Sequence, residues 1–277
     1  MAKKILVPTD FSHQAESALK VAAQIAKKND SQIYLLHIIE LPVHLVDLMS
    51  SNRTPPGPEA VLFMKQTHKK FEEIMASDYL DGIEVIETVS FENVLDGIMN
   101  SCEKNNIDMI IMGSHGSSGF EELFIGSNAE KVVRTAKQPV LVIKEDCDIF
   151  AVDDIVYATN FDDEDKPSLI NAHEFAKQLN AKLHLVWINT SNNFKTTTQT
   201  EVKMNAMLSG LTIENYTLNI YNDINVEKGI FNFSNSVKAG IIGISTHGRK
   251  GISHFINGSL GEDVVNHAKR PVLTFKI

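Results

Sequence analysis

The residues with chemistry to offer are one carboxylate near the start of the chain and a run of glycines near its middle. Asp10 stands in the turn Pro8-Thr9-Asp10-Phe11-Ser12. Met112-Gly113-Ser114-His115-Gly116-Ser117-Ser118-Gly119 opens a loop that closes on Gly126-Ser127-Asn128-Ala129. The two groups complement each other. A carboxylate accepts hydrogen bonds from amino or hydroxyl groups. Gly116, Gly126, Ser127 and Asn128 supply N–H and hydroxyl donors, which suit phosphate oxygens. Gly116 also lets the backbone turn or come close to a ligand.

Such groups act only if the chain holds them in place. The apolar run Asp108-Met109-Ile110-Ile111 precedes the loop, and Glu130-Lys131-Val132-Val133-Arg134 follows it at helical spacing. A buried strand therefore runs into a glycine loop that ends on a helix N-terminus. Unpaired N–H groups and the helix dipole make that arrangement an anion site. Ser127 is the expected hydroxyl cap of the helix. Taken alone, the glycines fit a tight turn and a capped helix without ligand equally well. Taken alone, Asp10 fits a turn residue that caps the next helix.

The rest of the first half alternates strands and helices. Ile5-Leu6-Val7 and residues 33–39 are apolar strands, with helical spacing of Ala15, Ala18, Leu19, Ala22, Ala23, Ile25 and Ala26 between them and Ser12 as N-cap. Residues 41–58 are irregular and Pro-rich. Residues 59–76 form a helix with Val61, Leu62, Met64, Phe71, Ile74 and Met75 turned inward. A strand over 83–89, a helix over 91–105 and strands over 109–113 and 140–143 complete the unit. Continuous apolar strands alternating with helices indicate a parallel sheet covered on both faces.

The pattern then restarts. Asp154-Ile155-Val156-Tyr157-Ala158-Thr159-Asn160-Phe161 lies 150 residues after Lys4-Ile5-Leu6-Val7-Pro8-Thr9-Asp10-Phe11. Ser245-Thr246-His247-Gly248 and Gly258-Ser259 lie 132 residues after Gly113-Ser114-His115-Gly116 and Gly126-Ser127. The second copy is thus 18 residues shorter (150 − 132), mostly where the first carries its Pro-rich stretch. Each copy is long enough for its own core. The expected organisation is two domains, 1–146 and 150–277, each a doubly wound α/β unit with a five-stranded, mostly parallel sheet.

The glycine spacing, Gly-x-x-Gly followed after nine residues by Gly-Ser, resembles the nucleotide-binding signature of the universal stress protein family. The flanks Ile110-Ile111-Met112-Gly113 and Ala129-Glu130-Lys131-Val132-Val133 resemble it too, and the repeat makes the chain similar to tandem members. The resemblance implies ATP (or ADP or AMP), with or without Mg²⁺, bound by Pro8, Thr9 and Asp10 in the first turn. It adds Ile38 beside the adenine, and Met112, Gly113, His115, Gly116, Gly126, Ser127 and Asn128 in the loop. It also implies an internal pseudo-dimer, with residues 140–143 and 272–275 in contact. The second copy keeps Thr159, Gly248, Gly258 and Ser259. It carries Asn160 for Asp10 and Ser245 for Gly113, a change that strains any backbone with φ > 0. The expectation is one strong site and a weaker or absent second one.

Bulk properties set the limits. Net charge is −9, which argues against a nucleic-acid coat or an anionic membrane surface as partner. No apolar run approaches the roughly 18 residues needed to cross a bilayer. Two cysteines, Cys102 in a helix and Cys147 in the linker, form no disulfide framework. A cytoplasmic protein follows as the expectation. There is no G-x-x-x-x-G-K-[ST], no G-x-G-x-x-G after the first strand, no H-E-x-x-H, no C-x-x-C and no G-x-S-x-G. His115 and His247 read as turn or ligand contacts rather than metal ligands. The favoured function is a stress-response protein whose nucleotide controls conformation or binding of a protein partner. A slow Mg²⁺-dependent ATPase or phosphotransferase and a nucleotide-free interaction scaffold are the alternatives, and a homodimer is compatible with all three.

Overall fold

The computed structural model describes residues 3–39, 58–114, 126–144, 149–246 and 260–277. His115, Gly116, Cys147, His247, Gly248, Gly258, Ser259, most of the Pro-rich stretch and the charged linker lie outside the described residues.

The first half runs β1 (Lys4–Thr9), α1 (His13–Asn29), β2 (Gln32–Ile38), α2 (Pro58–Met75), β3 (Val85–Ser90), α3 (Val94–Asn105), β4 (Met109–Gly113), α4 (Ser127–Thr135) and β5 (Val140–Ile143). The second repeats the scheme as β6 (Asp154–Ala158), α5 (Lys166–Leu179), β7 (Lys182–Asn189), α6 (Thr197–Leu208), β8 (Tyr216–Asn222), α7 (Val226–Ser236), β9 (Ile241–Thr246), α8 (Leu260–His267) and β10 (Val272–Lys276). The strands form one ten-stranded sheet in the order β3-β2-β1-β4-β5-β10-β9-β6-β7-β8. Every pairing is parallel except β5 with β10. The two expected five-stranded sheets are therefore joined edge to edge.

Strand alternation splits the core into two layers. Ile5, Val7, Ile33, Leu35, Met109 and Ile111 face α1 and Phe71 of α2. Leu6, Leu36, Ile110, Val140 and Val142 face Ile98 and Cys102 of α3 and Val132 and Val133 of α4. Helices on both faces explain the continuous apolar strands. Cys102 is 2% exposed and burial pushes its thiol up to about 12, so it behaves as the small packed hydrophobe its helical position suggests.

The seam follows from the apolar edges it covers. Val140–Ile143 is buried at every residue. Left open, that edge would present unpaired N–H and C=O groups beside an apolar surface. Antiparallel pairing of Val272 with Val142, Leu273 with Leu141 and Thr274 with Val140 closes it, as the family resemblance implied. Two lysines related by the repeat (276 − 144 = 132) complete the junction. Lys144 Nζ donates to Val265 O at 2.8 Å and Asn266 O at 3.2 Å in the last turn of α8. Lys276 Nζ donates to Thr135 O, the last residue of α4, at 3.0 Å. Each half thus supplies a cation to the carbonyl end of the other's helix, where the dipole favours it.

Three details depart from the expected boundaries. α3 starts at Val94, because Asn93 Oδ1 accepts from Asp96 N–H and caps it. Val61 and Leu62, expected inward, are 40% and 55% exposed. Thr67 and Phe71 define the inward stripe of α2, and at about 100° per residue Leu62 falls opposite Phe71. Finally, α3 and α7 approach the sheet at glycines. A Cβ on Gly97 would lie 3.1 Å from Ile38 Cδ1, and one on Gly229 only 2.3 Å from Ile188 Cγ2.

Gly229→Ala is therefore expected to lower stability. Crowding of about 1–3 kcal/mol outweighs the gain of about 1 kcal/mol in helix propensity. A urea titration should show a lower midpoint at unchanged slope, and an equal or higher midpoint would contradict the tight approach of α7.

Candidate functional site

The site begins with a ladder that stops early. β1 pairs with β4 only at Ile5↔Met109 and Leu6↔Ile110, although the strands continue to Thr9 and Gly113. Asp108 N–H donates to Lys4 O, so the even-numbered backbone groups of β1 point toward β4. The next N–H in that series after Leu6 would belong to Pro8, and proline has none. The chain also leaves β1 toward β2 and leaves β4 toward β5, in opposite directions across the sheet. A switch point whose two central strands cease to pair opens a crevice at their carboxyl ends.

Three expected residues line one face there. Pro8 continues the series of Leu6, Ile38 that of Leu36, and Met112 that of Ile110, all toward the layer under α3 and α4. Pro8 and Ile38 are half-buried and Met112 is 7% exposed. On neighbouring strands they make an apolar platform, and Gly97 lets α3 seat against Ile38 from behind.

The donors lie at the far side of β4. Ser114, fully buried, donates its N–H to Ile143 O at 2.9 Å, and its carbonyl accepts from Gly126 N–H at 2.6 Å. That bond brings the exit of the glycine loop back to its entry, so α4 starts beside the end of β4. Gly126 is the N-cap of α4 and no side chain caps the helix, while Ser127 is its first helical residue. The expected Ser127 cap is thus corrected by one residue: glycine holds the cap position, and the first-turn amides have no hydroxyl competing for them. Ser127 and Asn128 are exposed.

Asp10 occupies the turn at the opposite wall. It is exposed, and its Oδ1 accepts from Ser12 N–H at 3.0 Å, while Ser12 Oγ caps α1 by accepting from Ala15 N–H at 3.3 Å. Asp10 therefore shapes the turn, and Ser12 caps the helix. Thr9 Oγ1 accepts from Phe11 N–H at 3.0 Å, which holds Phe11 at φ 64°. A bulky residue in that region costs roughly 1–2 kcal/mol, offset here by ring contacts, tilted with His37 at 4.4 Å and edge-on with Phe71 at 5.4 Å.

His37 is a residue that motif reasoning passed over. It lies on the face opposite Ile38, and Nδ1 is 2.8 Å from Thr9 O. A carbonyl only accepts, so Nδ1 carries the proton and tethers the turn that presents Asp10. Burial lowers its pKa most; Lys70, whose Nζ sits 4.7 Å over the Phe11 ring, lowers it further, against the raising influence of Thr9 O and Asp10. The only sequence signal was its position next to Ile38.

The second half diverges at each point. Ala158 stands where Pro8 does, and β6 pairs with β9 through Tyr157↔Gly243 and Ala158↔Ile244, two rungs beyond the first-half ladder. Ile188 and Ile244, the equivalents of Ile38 and Met112, are 5% and 3% exposed. Asn160 is exposed, as Asp10 is. Thr159 Oγ1 donates to Asp165 Oδ2 at 2.9 Å, and Ser245 Oγ donates to Asp165 Oδ1 at 2.9 Å. Asp165 is 3% exposed. The expectation about Gly113 is corrected here. It is not among the glycines with positive φ; a Cβ on it would meet Gln14 O at 2.8 Å. Helix proximity excludes a side chain at Gly113. Ahead of α5, which starts at Lys166, residues Asp163–Asp165 form a 3-10 turn, and Ser245 Oγ bonds to the last of them.

A buried base with a lowered pKa takes up fewer protons folded than unfolded. The folded form of the first half should lose stability as pH falls below 6.5. His37→Gln should flatten the difference in unfolding free energy between pH 7.5 and pH 5.5. An unchanged difference would mean that His37 does not report on this turn.

Comparison with known proteins bears on the same residues. The profile described as the Universal stress protein family matches residues 1–144. A universal stress protein of Methanocaldococcus jannaschii is 34% identical over 155 residues, covering 52% of this chain and 96% of that protein. A second from the same organism is 31% identical over 150 residues, covering 52% and 82%. A solved universal stress protein from Archaeoglobus fulgidus matches 100% of this chain and 99% of its own, with a TM-score of 0.75 at 21% identity, a likeness in fold. The profile match spans β1 to β5 and both walls of the crevice, and on it and the two relatives the chain belongs to the universal stress protein family.

Proposed function

We propose that the first half binds an adenine nucleotide in the crevice between β1 and β4. The observation that carries this reading is the union of three features at one switch point. They are the apolar platform of Pro8, Ile38 and Met112, the exposed carboxylate of Asp10, and the α4 N-terminus behind Gly126. A base lies on the platform, Asp10 accepts from an amino or ribose hydroxyl group, and the amides of residues 126–128 receive phosphate oxygens. Gly113, with α1 packed against it, keeps the end of β4 in position. His115 and Gly116, in the loop outside the described residues, complete the phosphate contacts by the family signature. ATP, ADP and AMP all fit this division of labour, with or without Mg²⁺.

Binding rather than turnover is the function these residues support, since no general base beside the phosphate position emerges from the described residues. The output is a nucleotide-dependent conformation or protein contact in a cytoplasmic stress-response protein. The units are the halves 1–146 and 150–277. The second half binds nucleotide weakly or not at all. Its ladder continues where the first half's stops, and a buried carboxylate ties Thr159 to Ser245.

Denaturing the chain, purified without added nucleotide, should release close to one adenine nucleotide per chain. Asp10→Ala should weaken binding about tenfold or more, the worth of a charge-assisted hydrogen bond. Release of two per chain would refute the asymmetry. No release, together with no thermal shift on adding ATP, would refute the nucleotide reading.

A further inference from the structure

The second-half strands run antiparallel to those of the first, and their N-terminal ends carry a hydrogen-bonded chain of a different kind. Asp154 opens β6, His184 is the third residue of β7, and Thr217 is the second of β8. His184 pairs with Thr217 across the parallel ladder. His184 Nε2 is 2.8 Å from Asp154 Oδ1, and His184 Nδ1 is 2.8 Å from Thr217 Oγ1. The residue is 8% exposed, with the Phe233 ring edge-on to the imidazole at 6.3 Å.

In the neutral ring, the partners select the tautomer. A carboxylate only accepts, so Nε2 is the protonated nitrogen of the neutral ring and Nδ1 carries the lone pair. Asn219 Nδ2 donates to Thr217 Oγ1 at 2.8 Å. With that acceptor position filled, the Thr217 O–H points its hydrogen at Nδ1. A hydroxyl on a base, with the base oriented by a carboxylate, is the arrangement that activates a nucleophile. The fold does not require it. The first half has Lys4, Tyr34 and Ile86 at these positions, and Lys4 Nζ sits 5.7 Å from the Tyr34 ring centroid.

Access is from the side. β8 is the last strand of the sheet, so Thr217, half-buried, is reached along an open edge. We propose that Thr217 is a nucleophile, activated by His184 and Asp154, that accepts the acyl group of activated carboxylic esters. Thr217 Oγ forms a bond to the ester carbonyl carbon while its proton passes to His184 Nδ1. Asp154 steadies the imidazolium through Nε2–H. The bond to the leaving alkoxide breaks, that oxygen takes the proton from Nδ1, and the acyl group remains on Thr217. Water reverses the sequence: it gives a proton to Nδ1 as it attacks, and Thr217 Oγ reclaims that proton on leaving, releasing the carboxylic acid.

The test uses the full chain and p-nitrophenyl acetate. A burst of p-nitrophenolate approaching one per chain is expected, with peptide mass mapping finding the acetyl group on Thr217. Thr217→Val should abolish the burst, and Asp154→Asn should slow it tenfold or more with an unchanged circular dichroism spectrum. Should Thr217→Val fail to fold, Thr217→Ser decides, since the burst must persist with the acetyl group still at position 217. Acetyl groups found only on lysines, or an equal burst in Thr217→Val, would overturn the proposal.

Discussion

The site depends on a hydrogen bond that proline cannot make. Parallel strands hold together by regularly spaced N–H···O=C bonds, and a doubly wound sheet opens at its switch point only if the two central strands part before their ends. Pro8 lacks the donor that would carry the β1–β4 ladder one step further. The second half provides the contrast within one molecule. With Ala158 in the same place, two further rungs form, and Ile188 and Ile244, the equivalents of Ile38 and Met112, are more deeply buried. The difference in how far the two central ladders run therefore follows the one backbone nitrogen that lacks a hydrogen.

Closing the sheet elsewhere makes that opening affordable. The buried edges β5 and β10 cover each other, and Lys144 and Lys276 bind the helix ends across the seam. The α4 helix is held at both ends by different halves: Gly126 is bonded to Ser114 at its start, and Thr135 accepts from Lys276 at its finish. A ligand that orders the first turn of α4 thus acts on a helix whose last carbonyl is bonded to the other half.

Much of this was legible in the sequence, for reasons that can be assigned. Apolar runs such as Ile33-Tyr34-Leu35-Leu36 and the spacing of Ala15, Ala18 and Ala22 gave strands and helix directly, because burial on both faces leaves no other pattern. Ser12 and the repeat offset were equally plain. What stayed hidden depends on contacts between segments distant in sequence. Gly97 and Gly229 are ordinary helix residues until Ile38 and Ile188 are packed against them. His37 gains a role only when Thr9 O lies 2.8 Å away. Gly113 was read through backbone torsion, whereas its constraint is the carbonyl of Gln14. Ser127 was one residue out, because glycine at a cap position leaves no side-chain signal.

The second half differs from the first at both ends of its strands. Asp165 closes the short turn ahead of α5, and its carboxylate ties the ends of β6 and β9 together through Thr159 and Ser245. At their N-terminal ends the first half has a cation–π contact of Lys4 with Tyr34 in the corresponding place. The second half puts a carboxylate, an imidazole and a hydroxyl in line instead. Burying a polar chain of that kind costs free energy unless each group is satisfied. Here Asp154, His184, Thr217 and Asn219 are linked by hydrogen bonds in one chain. A tie between strands would need only the hydrogen bonds, while their order from carboxylate to ring to hydroxyl also points a lone pair of the ring at the hydroxyl.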